Sequence, residues 1–342
     1  MSINTGHRIL AVADTYLRAD LMRRLLAEAG LLARVVEVGS ARPAMPGLRE
    51  YQGDPMDLDA LLDGEQILIV HAAAITAELL SRHPSIRVVA CLRGAPVNID
   101  IAGAAARGVV VLRTPAKNAG PVADLTMWFV QALLRGSISA ATWLQSVAND
   151  PQFVPDVAFL GGAWMAREPS EASIGLIGLG AVGRRVAALA TTAGMRVSAH
   201  DPFAIGTPEG PPLLPLDVVL AQSDVVSLHA PATASTRHLI NERELSLMRP
   251  GSFLINTARE SLVNEAALVE ALRSGRLAGA ALDVFEPDGR WRELSSMPSV
   301  LLTPHTGGAT IGTQRRAVAM IAEDLQRFQH GLPLLHAAEA AH

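Results

Sequence analysis

The segment IGLIGLGAVG (174–183) constrains the fold of this chain more than any other. An apolar, β-branched run ends in Gly178-Leu-Gly180-Ala-Val-Gly183 and passes into the helical pattern AVGRRVAALATTAG. Each glycine of such a spacing has its own steric duty: a tight turn at the first, close approach of a pyrophosphate at the second, and helix–strand packing at the third. The helix start, with Ala181 and Val182, then offers free N–H groups and the positive end of the helix dipole to an anion. Asp201 closes the next strand, MRVSAHD, 18 residues after Gly183, where a carboxylate accepts hydrogen bonds from ribose hydroxyls. A carboxylate there repels a 2′-phosphate, and Pro202-Phe203 follows it with no arginine. The segment predicts a Rossmann-type unit that binds NAD rather than NADP.

The same strand–helix alternation runs through the rest of the chain. RILAVAD (8–14), QILIV (66–70), IRVVACL (86–92) and GVVVLR (108–113) predict buried parallel strands. RADLMRRLLAEAG (18–30) predicts a helix with Leu21, Leu25 and Leu26 on one face and Gly30 just past its end. A longer helix is predicted over PVADLTMWFVQALLRG (121–136), with Pro121 in its first turn and Gly136 closing it. Residues 40–57 read as a surface connection, 149–173 as an irregular crossover and 202–215 as a loop. DVVSLHAP (224–231), SFLINTA (252–258), LAGAALDVF (277–285) and VLLTPH (300–305) predict further strands, with helices over 264–275 and 311–331. The tail LLHAAEAAH (334–342) is expected to fray. A length of 342 residues, at roughly 150 per domain, predicts two domains. The economical architecture is α/β: two successive doubly wound parallel-sheet units.

Composition removes several classes of function. With 49% apolar residues and a net charge of −4, the chain has too much to bury to be disordered. Lys and Arg form no cluster of the kind that binds nucleic acid. No apolar run reaches membrane-spanning length without a charge. The first residues lack the basic, apolar and cleavage-site succession of a secretory signal. A single cysteine, Cys91, excludes an internal disulfide and a multi-cysteine metal site. These features predict a soluble cytoplasmic protein with a small-molecule substrate, no nucleic-acid partner and no membrane partner.

Hydride transfer between a nicotinamide and a carbonyl needs a proton donor for the oxygen and a cation for a neighbouring carboxylate. Arg259, at the end of SFLINTA, stands on the carboxyl edge of the sheet, and its guanidinium can grip a carboxylate through two hydrogen bonds. His305 ends VLLTPH and is the candidate acid/base, a role that a nearby carboxylate supports by stabilising imidazolium. Asp288 and Glu286 compete for that supporting place. Neither an H-E-x-x-H spacing nor a G-x-S-x-G elbow occurs.

The segments GLIGLGAVGRRVA (176–188), SLHAPATASTRHLIN (227–241), MRPGSFLINTARESLVNEAALVEAL (248–272), GAALDVFEP (279–287) and LLTPHTGG (301–308) arrive in order. With ACLRGAPVNIDIAGAAARGVVVLRTPAKNAGPVADLT (90–126), they resemble the D-isomer-specific 2-hydroxyacid dehydrogenases over about 86–331. The resemblance implies a discontinuous, flavodoxin-like substrate domain from 1–116 plus 308–342, a Rossmann NAD domain over 117–307, and an active site in the cleft between them. It implies an Arg259–Asp288–His305 triad acting on a small D-2-hydroxy acid and its 2-keto acid. Asp283, Thr236 and the Thr257-Ala258-Arg259 stretch match cofactor-lining positions. Residues 136–165, with Trp143, Phe153, Phe159 and Trp164, resemble the family's dimerisation arm, which implies a homodimer.

Four departures stand out. Asp288 occupies the place of the family's usual glutamate, one methylene shorter, and the loop from there to His305 is also shorter. Glu260-Ser261 replaces a pair of glycines after Arg259. The carboxylate-binding loop reads Arg93-Gly94-Ala95, in which Gly94 and Ala95 offer N–H donors and Arg93 either stiffens the fold or adds a cation. His71, after QILIV, is expected to face the same cleft. Two alternatives share the fold: an NAD(H)-sensing dimeric regulator, and an NAD-linked dehydrogenase of formate or phosphite, against which Asp288 counts because formate-type sites place an amide beside the histidine.

Overall fold

Strands that are apolar on both faces satisfy their backbone groups by pairing with each other and bury their side chains under helices, and this organises each half of the chain. The computed structural model describes residues 8–40, 45, 48–150, 152, 153, 156, 160–206 and 210–339. They divide into two compact units, one up to Lys117 together with Ile311 onwards, the other Asn118–Thr310.

The first unit runs β1 (Ile9–Ala13), α1 (Ala19–Glu28), β2 (Arg34–Glu37), α2 (Pro55–Leu61), β3 (Ile67–Val70), α3 (Ala77–Arg82), β4 (Val88–Cys91), α4 (Ile101–Ala105) and β5 (Val110–Leu112). Its sheet is parallel in the order β2-β1-β3-β4-β5, the flavodoxin-like winding. One face packs Ala11, Ile69 and Ala90 against Met22 and Leu25 of α1 and against Val318, Ile321 and Leu325 of the last helix. The other packs Val12, Val70 and Val89 against Leu58, Leu79 and Leu80. Cys91 is fully buried, which pushes its thiol up to about 11 and leaves it unreactive.

The second unit contains α5 (Ala119–Arg135), α6 (Ser137–Val147), β6 (Ser173–Ile177), α7 (Ala181–Thr192), β7 (Arg196–His200), α8 (Leu216–Gln222) and β8 (Val225–Leu228). It continues through α9 (Glu242–Leu247), β9 (Ser252–Asn256), α10 (Glu265–Arg273), β10 (Leu277–Leu282), α11 (Trp291–Ser295) and β11 (Val300–Leu302). The parallel order β7-β6-β8-β9-β10-β11 places the switch in winding direction between β6 and β8, at whose carboxyl ends doubly wound sheets bind ligands. Gly136, left-handed at φ 56°, ends α5, and α6 starts at once. No residue of α6 is buried, and with no apolar stripe to mark it the helix is invisible to periodicity. Trp143 packs edge-on against Phe153 at 5.6 Å and lies 6.0 Å from Trp164; Phe159 lies outside the described residues.

The last helix, α12 (Ile311–Gln329), returns to the first unit. The expectation that the following tail frays is overturned for 334–339; residues 340–342 lie outside the described residues. Arg113 donates its N–H to the His336 carbonyl at 3.0 Å and Ala338 donates to Val111 at 2.7 Å, so the tail covers the outer edge of β5. Fully buried Asp324 of α12 accepts the Leu335 N–H and a His336 ring nitrogen, each at 2.7 Å. An open sheet edge is a liability, and covering it gives the tail a reason to dock.

Candidate active site

The turn after β6 is fixed by steric necessity. Gly178 has φ 99°, and a Cβ there would stand 2.7 Å from the Ala230 nitrogen. A Cβ on Gly183 would stand 2.2 Å from the Gly178 carbonyl oxygen. Gly180 differs: it is exposed, with nothing within 4 Å of where its Cβ would be. It caps α7 without a side-chain acceptor, and the N–H groups of Gly180, Ala181, Val182 and Gly183 meet no acceptor among the described residues. Asp201 accepts the Leu179 N–H at 2.7 Å and the Phe203 N–H at 2.9 Å. Burial works to raise its pKa, but the backbone donors of Leu179, Phe203 and Ala204 hold it below the usual carboxylate range. An open backbone cradle, unpaired donors and an ionised carboxylate at one sheet edge fit the diphosphate and ribose of a dinucleotide.

His229 lies beneath this turn, donating its backbone N–H to Ile177 at 2.7 Å and sharing a ring hydrogen bond with Ser227 at 3.0 Å. Burial pushes its imidazole down to about 4. The unfolded chain takes up that proton near pH 6.5 and the folded one near pH 4, so stability falls as pH drops through this window, by at most about 3 kcal/mol. Denaturation of His229→Gln against pH is expected to lose that slope below pH 6.5; an unchanged slope would exclude His229 as its source.

The remaining positions expected to line the cofactor divide. Thr236 donates its hydroxyl to the Pro231 carbonyl at 2.7 Å and accepts the Thr233 N–H at 2.8 Å, which closes the 234–236 turn. The buried Thr257 hydroxyl lies 3.0 Å from that of Thr126 on α5. Asn256, at the end of β9, shapes the stretch that follows: its side chain accepts the Ala258 N–H at 3.0 Å and donates to the Arg259 carbonyl at 2.8 Å. Arg259 is exposed, donates to the Ala258 carbonyl at 2.7 Å and pairs with no carboxylate among the described residues.

His305 lines a cavity of about 140 Å³ together with Glu260, Asp283, Val284, Phe285 and Pro304. Its backbone is left-handed, φ 57°, a conformation uncommon outside glycine. Asp283, 1% exposed, imposes it. One carboxylate oxygen accepts the Thr303 hydroxyl at 2.5 Å and the Thr306 N–H at 2.7 Å, the other accepts the Gly307 N–H at 2.8 Å, and the Asp283 carbonyl accepts the His305 N–H at 2.9 Å. Asp288 is exposed, Glu286 is half-buried, and neither pairs with the His305 ring in this structure.

In the first unit, Asp14 at the end of β1 is fully buried and accepts the backbone N–H groups of Tyr16, Leu17 and Ala72 and a ring nitrogen of His71 at 2.9 Å. Burial works to raise its carboxyl, and the His71 contact with those donors brings it below the ordinary value. His71 stacks on Tyr16 at 4.8 Å. Gly94 and Ala95 have N–H groups that meet no acceptor among the described residues, whereas Arg93 donates to the Glu50 carbonyl at 2.6 Å and pairs with the Glu50 carboxylate. Lys117, half-buried, is pushed down to about 8 by desolvation and donates to the Leu92 carbonyl and to Gln314.

Residues 139–307 match the NAD-binding domain of the D-isomer specific 2-hydroxyacid dehydrogenases. Over 280 residues the chain is 34% identical to the glyoxylate reductase of Thermococcus onnurineus, covering 80% of this chain and 82% of that one. The chain belongs to the D-isomer-specific 2-hydroxyacid dehydrogenase family. Another family member, the hydroxypyruvate reductase of Thermotoga maritima, is 32% identical over 274 residues, 79% of this chain and 86% of its own. The crystal structure of the TT0316 protein from Thermus thermophilus superposes with a TM-score of 0.77 at 31% identity, covering 97% of this chain and all of that one. As a D-2-hydroxyacid dehydrogenase this chain is an NAD-dependent oxidoreductase, and the glycine turn and Asp201 are the features of its own structure that suit the cofactor. Sequence reasoning missed the residues that position others: Asn256, Asp14 and Glu265. Asn256 and Glu265 left a signal, both standing inside the family-like stretch 248–272, whereas Asp14 left none.

Proposed function

We propose that this dehydrogenase interconverts a small, unphosphorylated D-2-hydroxy acid and its 2-keto acid, with Arg259, His305 and Asp288 as its working groups. The observation that carries the reading is His305 at a cavity on the carboxyl edge of the NAD unit, held in a strained turn by the five hydrogen bonds that Asp283 accepts from it. Such strain persists where the surroundings over-determine it, and it clusters at working sites. Bound NADH supplies the hydride. The Arg259 guanidinium, with no carboxylate partner among the described residues, takes the substrate carboxylate and orients the adjacent carbonyl. Protonated His305 gives its proton to the carbonyl oxygen as negative charge grows there, and an acid from the loop after β10 steadies the imidazolium. Within the first unit, the unpaired N–H groups of Gly94 and Ala95 are the proposed donors to a substrate carboxylate, and His71, oriented by Asp14, is a proposed substrate contact.

The engagement of Arg93 by Glu50 favours an unphosphorylated substrate, because that guanidinium is already paired. NADH oxidation followed at 340 nm is expected to be faster with hydroxypyruvate or glyoxylate than with 3-phosphohydroxypyruvate, and faster than with NADPH. A preference for the phosphorylated substrate would overturn the substrate assignment. Silence across the panel with NADH still bound would replace turnover by the second reading, an NAD(H)-sensing dimeric regulator. A homodimer in the cytoplasm is part of the proposal: no residue of α6 is fully buried, and Trp128, Leu144 and Met165 are exposed on or near it. No helix among the described residues is long and apolar enough to cross a membrane. A monomer in sedimentation velocity of the same preparation would remove the dimer from this reading.

A further inference from the structure

The loop after β10 carries both acids that compete for His305, and neither side chain has a hydrogen-bond partner among the described residues. Whatever fixes them must act on their backbone. Glu265, the first residue of α10, is 7% exposed and commits both carboxylate oxygens to that loop. Oε1 accepts the Glu286 N–H at 2.7 Å and Oε2 accepts the Arg290 N–H at 2.7 Å. Gly289 passes so close that a Cβ on it would stand 2.3 Å from Oε2 and 2.8 Å from the Glu286 Cβ. The Gly289 N–H closes the turn onto the Glu286 carbonyl at 3.0 Å, and the Trp291 indole donates to the Pro287 carbonyl at 3.1 Å. One buried carboxylate therefore ties both ends of the 286–290 turn, with Asp288 at its apex.

The helix does not need Glu265 for its own start. Asn264 caps α10 by accepting the Ala267 N–H, so the glutamate is free to reach out of the helix. We propose that Glu265 is a positioning residue of the active site: by holding the 286–290 turn it sets where the Asp288 carboxylate stands relative to His305. This rests on the roles proposed above for His305 and Asp288. Asp288 is a short side chain on an exposed turn, so its reach depends on where the backbone is held. Catalytic contacts of this kind tighten when substrate is bound, and a turn free to wander lowers the fraction of time in which they can form.

The test is a double-mutant cycle of E265Q and D288N in the intact enzyme, assayed with the keto acid it turns over best. The amide of E265Q keeps one acceptor but turns an N–H group against a backbone N–H, which releases one end of the turn. E265Q is expected to lower kcat on the order of tenfold with KM little changed, the split expected when an interaction made only in the transition state is lost. In the D288N background the same substitution is expected to have little further effect, because what it positions has gone. NMR of histidine-labelled protein supplies a readout independent of turnover: E265Q and D288N are expected to move the His305 titration in the same direction. Full multiplicative effects in the double variant, or a wild-type His305 titration in E265Q, would overturn the positioning role while leaving Asp288 in place. Wild-type turnover in D288N would overturn the acid assignment itself, and the positioning role with it. If E265Q does not fold, G289A, whose Cβ meets Oε2, displaces the same turn and enters the same cycle.

Discussion

Replacing His305 by glutamine is expected to lower turnover by about 10²–10⁴-fold while leaving the affinity for NADH unchanged. The size follows from losing a positioned proton donor at the forming alkoxide. The selectivity follows from how the turn is built: its backbone is held by Asp283 through Thr303, Thr306, Gly307 and the His305 N–H, none of which uses the imidazole. Glutamine therefore inherits the backbone and cannot serve as an acid/base. Steady-state kinetics and titration of NADH fluorescence on the same preparation check both halves. Turnover within about tenfold of wild type would place the proton donor elsewhere.

A single methyl group on Gly183 is expected to be nearly as damaging, by another route. The added Cβ would stand 2.2 Å from the Gly178 carbonyl oxygen, and that carbonyl cannot retreat. Gly178 is fixed at φ 99° with its own N–H on His200 at 2.8 Å. Overpacking against backbone is expected to cost about 1–3 kcal/mol or more and to push α7 away from the strand it follows, so that NADH binding fails with it. Gly180→Ala is the control. Nothing lies within 4 Å of its Cβ, so stability should stay within about 0.5 kcal/mol while NADH affinity drops, because the methyl occupies the phosphate approach. Denaturant unfolding and NADH titration of the two variants separate the effects. Equal stability losses would show that the two glycines are not distinguished as their geometry requires.

The parts of the fold legible in the sequence were those whose reason is local. β1, β3, β4 and β6 are wholly buried, and their unbroken apolar runs announce it. β2, Arg34-Val-Val-Glu37, is a half-exposed edge strand with charged ends, so its pattern resembles a loop. The docking of the tail rests on Asp324 and on the backbone of β5, both outside the tail's own sequence. The site divides in the same way. Arg259 and His305 could be named because they follow strands at the carboxyl edge of a doubly wound sheet. The residues that position them act across sequence: Asp283 through a turn 20 and more residues on, Glu265 through a loop 21 residues on, and Asp14 on a histidine 57 residues away. No spacing rule predicts such contacts, because they follow from strand order.

The return of α12 to the first sheet has a consequence for the order in which the protein is made. The face of Ala11, Ile69 and Ala90 lacks Val318, Ile321 and Leu325 until the ribosome has passed the whole NAD unit. At typical elongation speeds that is roughly ten to forty seconds during which a nascent sheet shows solvent a bare apolar side. The later-synthesised unit completes its core first, and the earlier one waits for its last helix, so the nascent chain's exposure to chaperones and to misassembly is concentrated in the half that was translated first.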